Sequence, residues 1–362
     1  MLVNVLASRL TLSINQYSKC ENQMPEFDFD AARREMQAWY WWGVPTFFKC
    51  PWNENPSDSD IGLIGIPHSA GNGSTERDQH LGPRQIRHVS GRLRRAHQGF
   101  RLDPWTELRI ADLGDVPLPH GNNNEVSVEH IQAFFEYVDA GKCRPVSYGG
   151  DHSVTGPILK ALTREGSNAT AGGKVALVHF DAHRDDYQHM PHWLGAVKSA
   201  AHWAAYTVNE GAVDVDKSIQ IGIRGNPMKP RKDPAESGTG YQVVPADEIF
   251  KRGLTETVEI MRDRIGDMPV YVSIDLDVLD PADAPGVANL EAGYRGLRTY
   301  ELIEILHGLR GRNIVGGDIV CPMPTIDSPN QITGLTGTVL MFEMLCLIGD
   351  YMRTQKSKRM RA

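Results

Sequence analysis

Carboxylate and imidazole side chains follow three apolar stretches of the chain, and in two of these places they recur at every second residue. Alternate residues of an extended strand point to the same side, so each group would present its side chains together. Three strand ends that carry such residues predict one shared metal site. Six residues form the groups: Asp181, His183 and Asp185 after the run that begins at 175, Asp275 and Asp277 in the run that begins at 270, and His152 after the segment 144–148.

The size of this set favours two metal ions over one. Two imidazoles and four carboxylates exceed the needs of a single ion and suit two ions that share bridging carboxylates. Four negative charges would repel one another away from water, and two divalent cations would neutralise them. Oxygen-rich ligands suit Mn²⁺, whereas Ni²⁺, Co²⁺ or Zn²⁺ bind such ligands more tightly, so the ligands leave the metal open. Two ions held about 3.5–4 Å apart can activate water for hydrolysis near neutral pH.

The elements that must position these residues alternate between strand and helix. Strand patterns occur at 61–66, 108–113, 144–148, 175–180, 218–223, 270–274 and 314–320, and the helical patterns include 198–206 and 334–344. Such alternation indicates βαβ units and an α/β fold with a parallel sheet covered on both faces. Ligands bind outside the carboxyl ends of the strands in such sheets, where all three groups fall.

Length and composition indicate one large domain with additions at both ends. The chain has 362 residues, of which 41% are hydrophobic and 23% charged, as in ordinary globular proteins. We predict an N-terminal aromatic-rich extension at 1–57, a catalytic domain at 58–350 and a basic tail at 351–362. Four of the seven tryptophans lie between residues 39 and 52. We expect them to pack against the main body, a neighbouring subunit or a pocket.

Charge, hydropathy and cysteine content exclude several classes of protein. A net charge of −7 without a basic patch argues against a nucleic-acid-binding surface. We find no apolar stretch that approaches 18 residues and no cleavage pattern near the start, so we expect neither a membrane span nor a signal peptide. Five scattered cysteines without a CxxC pair suit a reducing compartment. These features predict a cytoplasmic protein.

Three motifs resemble the signatures of the ureohydrolase (arginase/agmatinase) superfamily: GGDHS at 149–153, HFDAHRDD at 179–186 and SIDLDVLDP at 273–281. The resemblance covers residues 60 to about 350 and implies a three-layer α/β/α arginase fold and a hydrolase of carbon–nitrogen bonds in linear amidines. It also implies two ions, with Asp181 and Asp275 as bridging ligands. One ion would be held by His152, Asp181, Asp185 and Asp275, and the other by Asp181, His183, Asp275 and Asp277.

The same resemblance implies two catalytic roles. Asp185 would orient the attacking water as well as bind metal. His202 would deliver a proton to the leaving amine, although Trp203, Ala204 and Ala205 after it depart from the family pattern. An ordinary histidine on a helix face is the alternative interpretation of His202.

Two departures from the family bear on the substrate. Cys321 stands where arginases and agmatinases have a glutamate for the substrate guanidinium, and a thiol cannot replace a bidentate charged partner. Apolar packing of this cysteine is the alternative to a substrate contact. The loop 187–201, which includes His192, replaces a shorter family loop and suggests a narrower pocket. Glu76 and Asp78 are candidates for the missing negative charge.

These departures, with the segment 76–83 and the aromatic extension, resemble the nickel-dependent branch that includes guanidine hydrolase and metformin hydrolase subunits. That resemblance implies two divalent ions per subunit, with Ni²⁺ favoured and Mn²⁺ as the alternative. It also implies hydrolysis of a small guanidine or biguanide to a urea-type product and an amine or ammonia, and homo- or hetero-oligomers of three or six subunits. An agmatinase- or guanidinobutyrase-like activity is one alternative, and a partner subunit of a hetero-oligomeric hydrolase is another.

Overall fold

The computed structural model describes residues 27–37, 39–72, 77–93, 95–188, 195–226 and 238–361. The chain divides into two compact units, Met1–Val44 and Pro45–Ala362, so the boundary predicted at residue 57 lies inside the larger unit. In the smaller unit helix α1 (Phe29–Met36) begins after Asp28, whose carboxylate accepts two backbone N–H groups. Packing of the aromatic side chains at 39–42 against the main body, a neighbouring subunit or a pocket stays a prediction.

One parallel sheet of eight strands forms the centre of the larger unit. Its strand order is β2-β1-β3-β8-β7-β4-β5-β6, and neighbouring strands of this sheet, as far as the chain is described, run parallel. The strands are β1 (Ile61–Gly65), β2 (Ile110–Asp115), β3 (Arg144–Tyr148), β4 (Ala176–Phe180), β5 (Ile219–Ile223), β6 (Gln242–Pro245), β7 (Val270–Asp275) and β8 (Ile314–Val320). Their residues are almost all buried, as in a sheet covered on both faces.

Helices cover both faces of this sheet. They are α2 (Gly82–Ser90), α3 (Pro104–Glu107), α4 (Asn124–Ala140), α5 (Thr155–Thr163), α6 (Trp203–Asn209), α7 (Ala246–Arg252), α8 (Leu254–Ile265), α9 (Thr299–His307) and α10 (Ile332–Arg361). Alternate residues of β4 enter two separate hydrophobic clusters: Val178 packs in a cluster with α2, α8, α9 and α10, and Leu177 in a cluster with α4, α5 and α6. The predicted three-layer α/β/α arrangement is confirmed.

Two local predictions from the sequence are wrong. The helix predicted at 198–206 begins only at Trp203, because the hydroxyl of Ser199 accepts the Ala201 N–H and bonds Nδ1 of His202, which makes a local turn. Strand β6 is missing from the prediction. It is only four residues long, and it ends in Pro245 at the sheet edge, where no further ladder donor is needed.

Helix α10 is longer than the predicted segment 334–344. It contains an 18-residue window with mean hydropathy 1.7, so by length and composition it could cross a membrane, and the expectation that no apolar stretch approaches this length is wrong. In the structure 83% of that window is buried inside the protein, where it packs in the core cluster beside β8. The polar Asp350 does not end the helix, because Arg310 and Arg353 bind its carboxylate at 2.9 and 2.6 Å.

The strand order explains how distant motifs meet. Strands β3, β8, β7 and β4 are consecutive neighbours in the middle of the sheet. His152 follows β3, Cys321 follows β8, Asp275 ends β7 and Asp181 follows β4. Because the carboxyl ends of parallel strands lie at one edge, these four residues come together over the centre of the sheet.

Candidate metal centre

His152 is the buried centre of a group of carboxylates. Its Nδ1 lies 3.0 Å from Oδ2 of Asp181, 3.0 Å from Oδ2 of Asp185 and 3.2 Å from Oδ2 of Asp275. Among the described residues this buried nitrogen nevertheless has no partner with hydrogen-bond geometry. Buried polar atoms are normally satisfied, so a nitrogen without a hydrogen-bond partner that faces three carboxylate oxygens fits a bound cation.

A second group of donors shares Asp181 with the first. Nδ1 of His183 lies 2.9 Å from Oδ2 of Asp277 and 3.5 Å from Oδ1 of Asp181. The two oxygens of Asp181 therefore face different histidines. Asp275 links the groups again, since its Oδ2 faces His152 while its Oδ1 accepts the backbone N–H of Asp277 at 2.9 Å. The structure thus brings all six sequence-predicted ligands into one continuous cluster with two centres.

The charges of the cluster are not balanced by the protein alone. Burial raises the pKa of Asp277, and the charge of Asp275 raises it further, so this pKa lies well above its usual range. Burial and the charge of Asp181 likewise raise the pKa of Asp185. Burial lowers the pKa of His152, but the adjacent carboxylates outweigh it and hold this pKa well above the ordinary value. Divalent cations at the cluster would offset the repulsion between these carboxylates.

A chain of buried hydroxyl groups orients His152. Its Nε2 lies 2.9 Å from Oγ of Ser273, and Ser273 donates to Oδ1 of Asp318 at 2.6 Å. Asp318 also accepts from Tyr271 Oη at 2.7 Å and from Thr155 Oγ1 at 2.9 Å. Because the Ser273 proton goes to Asp318, its oxygen accepts the Nε2 proton of His152, which would leave Nδ1 to bind a metal ion on the carboxylate side.

Two further supports were missed by sequence reasoning. His179 on β4 accepts a hydrogen bond from Gln220 at Nδ1 and donates from Nε2 to Oδ2 of Asp181 at 2.8 Å. Trp203 donates from Nε1 to Oδ2 of Asp185 at 3.0 Å, and its ring packs 4.7 Å from that of His152. The sequence gives a signal for His179, which is a polar residue inside an apolar run. It gives none for Trp203, whose type and position are those of an ordinary core residue.

His202 lies beside the cluster at the start of α6. Its Nδ1 is 2.6 Å from Oγ of Ser199, and its side chain is largely buried. Two backbone hydrogen bonds hold this segment to the strand-end loop, from Tyr187 N to Ala201 O and from Ala204 N to Asp185 O, both at 3.1 Å. The catalytic candidates His202 and Asp185 are therefore neighbours in space.

The candidate substrate residues have different positions. Cys321 is buried against the cluster, where its sulfur can share a ligand set with His152 and Asp275. Burial raises the pKa of the Cys321 thiol, and the nearby carboxylates raise it further. Asp78 accepts hydrogen bonds from the backbone N–H and the hydroxyl of Thr325, which joins the loops after β1 and β8. Glu76 and His192 lie outside the described residues.

A cavity of about 540 Å³ lies next to His183 at the carboxyl ends of β4, β5 and β6. Aromatic side chains form part of its wall, namely Tyr187, Phe250 and Tyr294, and charged groups such as Glu291 and Arg224 form another part. An apolar wall with a few placed charges is the usual composition of a small-molecule site.

Another cluster of metal-type residues, far along the chain from these motifs, is explained by hydrogen bonds. His97 and His307 both approach Oε2 of Glu343 through Nε2, at 3.0 and 2.7 Å. Nδ1 of His97 accepts the backbone N–H of Phe100, so the proton of a neutral His97 is on Nε2 and points to Glu343. This cluster joins α9 to α10 and contrasts with the unsatisfied Nδ1 of His152.

Comparison with known proteins matches residues 59–346 to the arginase family. The chain is 36% identical over 312 residues to guanidinopropionase from Pseudomonas aeruginosa, which covers 85% of this chain and 92% of that protein. It is 35% identical over 308 residues to a mitochondrial agmatinase from Gallus gallus, with 84% and 86% covered. Among solved structures, proclavaminate amidino hydrolase from Streptomyces clavuligerus has a TM-score of 0.78 at 28% identity and covers 86% of this chain and 99% of that chain.

These matches agree with the fold and with the cluster. The parallel eight-stranded sheet is that of the structural neighbours, and the His–Asp cluster suits the binuclear divalent metal centre that the family uses. The relatives are ureohydrolases, which cleave carbon–nitrogen bonds of guanidino compounds. This chain belongs to the arginase family and is a hydrolase of that kind.

Proposed function

We propose that the chain hydrolyses a guanidino compound with a short tail to urea and an amine, as an agmatinase- or guanidinopropionase-like enzyme. The observation that carries this proposal is the unsatisfied Nδ1 of His152, which faces three carboxylate oxygens at 3.0–3.2 Å beside a second His–Asp group. No charge-neutral packing role accounts for that arrangement, whereas a two-metal hydrolytic centre does.

The ligand assignment is the one that the family resemblance implies, and the oxygens that face His152 and His183 support it. One ion would be held by His152, Asp181, Asp185 and Asp275, and the other by Asp181, His183, Asp275 and Asp277. When bound, two divalent ions supply an activated water and neutralise the charge that develops on the substrate. Hard carboxylate ligands favour Mn²⁺ and the general affinity order favours Ni²⁺, so both metals enter the test below.

The protein's own groups orient the water and move one proton. Asp185 is held by Trp203 and by the backbone of Ala204, which fixes its carboxylate for an attacking water. Water adds to the guanidine carbon, the bond to the substituted nitrogen breaks, and this nitrogen leaves as an amine with an added proton. His202 is the proposed donor of that proton; Ser199 engages Nδ1, so the transfer would use Nε2.

Two observations bear on the substrate tail. The cavity beside His183 provides about 540 Å³ at the correct end of the sheet, enough for a short aliphatic chain. This cavity, together with the likeness to guanidinopropionase and agmatinase, supports a tailed substrate.

A second candidate is guanidine or a biguanide such as metformin, and Cys321 is the observation that favours it. The neutral thiol of Cys321 next to the cluster cannot form an ion pair with a guanidinium. Substrate binding would therefore depend less on residue 321 than it does in an enzyme with a glutamate there. Assembly into homo- or hetero-oligomers of three or six subunits, with or without a sister subunit, stays a prediction.

A substrate panel tests the proposal. The metal-stripped chain would be reloaded with Mn²⁺ or Ni²⁺ and assayed with agmatine, 3-guanidinopropionate, 4-guanidinobutyrate, guanidine and metformin for release of an amine or ammonia and of urea, or of guanylurea from metformin. We expect a tailed compound to give the highest kcat/KM. A preference for guanidine or metformin would support the second candidate. Binding of two ions without hydrolysis of any compound would overturn the enzyme assignment for the chain alone and favour a partner-subunit role.

A further inference from the structure

The second ring nitrogen of His183 faces a carboxylate that is not part of the ligand cluster. Nε2 of His183 lies 3.2 Å from Oε1 of Glu291, which belongs to the loop 279–298 between β7 and α9. An ionised carboxylate only accepts hydrogen bonds, so the imidazole proton lies on Nε2. The lone pair of Nδ1 is then directed to the side where Asp277 and Asp181 lie at 2.9 and 3.5 Å.

The position of Glu291 depends on the absence of a side chain at residue 225. A Cβ atom added to Gly225 would lie 2.6 Å from the carboxylate carbon and Oε2 of Glu291 and 2.8 Å from Oε1. Real Cβ atoms do not approach other atoms so closely. Gly225 also has φ +79°, a conformation that other residues rarely adopt. The carboxylate of Glu291 thus occupies the space that a side chain at residue 225, in the loop after β5, would need.

The loop that carries Glu291 is fastened on both sides of it. At its start the guanidinium of Arg224 donates to the carbonyl oxygens of Val278 and Leu279, both at 3.0 Å. At its end Arg295 packs 3.5 Å above the ring of Phe250, and Leu297 forms a bridge with Leu279. These contacts fix the loop on both sides of Glu291.

The two metal-type histidines therefore have different supports. His152 is oriented by buried hydroxyl groups of the central strands, whereas His183 and Glu291 are 31% and 27% exposed and meet at the wall of the cavity. A partly exposed ring can rotate unless a hydrogen bond fixes it, so Glu291 has a function that packing does not replace.

We propose that Glu291 is a positioning residue for the reaction, which holds Nδ1 of His183 toward the metal centre, and that Gly225 and Glu291 act as one unit. The inference rests on the metal centre proposed above. Loss of a partner of this kind weakens metal affinity by about 10–100-fold. We expect the loss in only one of the two binding steps, because His152 has its own support.

Metal titration of the stripped full chain tests this inference without a substrate. Mn²⁺ binding would be measured by calorimetry for the wild type, Glu291→Ala and Glu291→Gln. Glu248→Gln serves as the matched control, since it removes an exposed carboxylate on α7 that pairs with Lys251 and does not contact His183. We expect one weakened step in Glu291→Ala, a smaller loss in Glu291→Gln, whose amide oxygen can still accept, and wild-type binding in the control.

Two double variants separate positioning from a general structural effect. In a His183→Ala background, Glu291→Ala should change the remaining Mn²⁺ affinity by less than about twofold, because the coupling passes through His183. Gly225→Asp should weaken one step by collision with Glu291 in addition to backbone strain at φ +79°, and Gly225→Asp with Glu291→Ala should recover the part due to the collision, because the aspartate enters the vacated space.

Wild-type Mn²⁺ affinity in Glu291→Ala would overturn the inference while leaving the metal centre intact. If Glu291→Ala weakened Mn²⁺ binding as much in the His183→Ala background as in the wild type, Glu291 would have a structural role instead. A double variant no better than Gly225→Asp alone would refute the claim that residues 225 and 291 act as one unit. Failure of the wild-type chain to bind two ions would refute the metal centre itself and is thus distinguishable from all three results.

Discussion

The hydroxyl of Ser273 links the core of the sheet to the candidate metal centre. It accepts from Nε2 of His152 at 2.9 Å and donates to Oδ1 of Asp318 at 2.6 Å, and all three side chains are buried. Ser273→Ala removes both hydrogen bonds with almost no change in volume. The imidazole then loses the contact that fixes its tautomer and its rotation.

The expected losses of metal affinity and of stability follow from the atoms that Ser273→Ala leaves without a hydrogen-bond partner. Loss of a partner that orients a metal-binding histidine costs about 10–100-fold in affinity, which is about 1.4–2.7 kcal/mol. Nε2 of His152 and Oδ1 of Asp318 also become buried atoms without this partner, at about 1–3 kcal/mol each in the free energy of unfolding. A change in metal affinity must therefore be separated from a change in stability.

Thr155→Val is the matched control. Thr155 donates to Oδ2 of Asp318 at 2.9 Å, so the variant also removes one donor from Asp318 but leaves the contact of Ser273 with His152 in place. We expect both variants to unfold more easily in denaturant titrations of the metal-free chain. Only Ser273→Ala should weaken Mn²⁺ binding in calorimetry. Equal metal affinities in the two variants would refute the account of how His152 is oriented.

Three further outcomes are expected. Removal of metal by a chelator should lower the melting temperature. Restoring Mn²⁺ at about a thousand times its Kd should raise the free energy of unfolding by about 4 kcal/mol. An unchanged melting temperature would contradict a structural contribution of the ions. Asp112→Asn should cost about 1–3 kcal/mol in the free energy of unfolding, because the buried Arg87 loses its 2.8 Å ion pair with Asp112 and keeps only the ion pair with Asp115. Gly317→Ala should lower the free energy of unfolding by about 1–3 kcal/mol, since its Cβ would collide with Met344. Denaturant unfolding measures the free energy of unfolding of both variants.

The six residues of the His–Asp cluster could be singled out from the sequence because their chemistry leaves a sequence pattern. Asp181, His183 and Asp185 interrupt an apolar run at a spacing of two, and Asp275 and Asp277 repeat the pattern. A parallel sheet leaves only one edge for strand ends of this type. The local pattern and the topology therefore both indicate one site.

The supporting residues carried no comparable signal. Ser273 and Asp318 lie within buried strands, and their partners become visible only when β7 and β8 are paired. Glu291 lies in the irregular loop 279–298, where an acidic residue reads as a solvated surface group. Its contact with His183 joins residues more than a hundred positions apart, so local patterns cannot reveal it.

Local side-chain chemistry explains the errors at helix ends. Ser199 bonds His202 and the Ala201 N–H, which delays the start of α6. At the other end of the chain the predicted helix 334–344 is too short, and α10 continues through Asp350, whose carboxylate binds Arg310 and Arg353. In both places a side-chain contact outweighs the propensity of the segment.

Asp181 provides the most direct test of the whole account, since its Oδ2 faces His152 and its Oδ1 faces His183. Metal content and urea release from the best guanidino substrate would be measured side by side for the wild type and Asp181→Ala, with melting curves to confirm that both are folded. We predict two divalent ions and hydrolysis for the wild type, and loss of both metal and hydrolysis for a folded variant. Two ions and an unchanged rate in Asp181→Ala would contradict the two-metal centre.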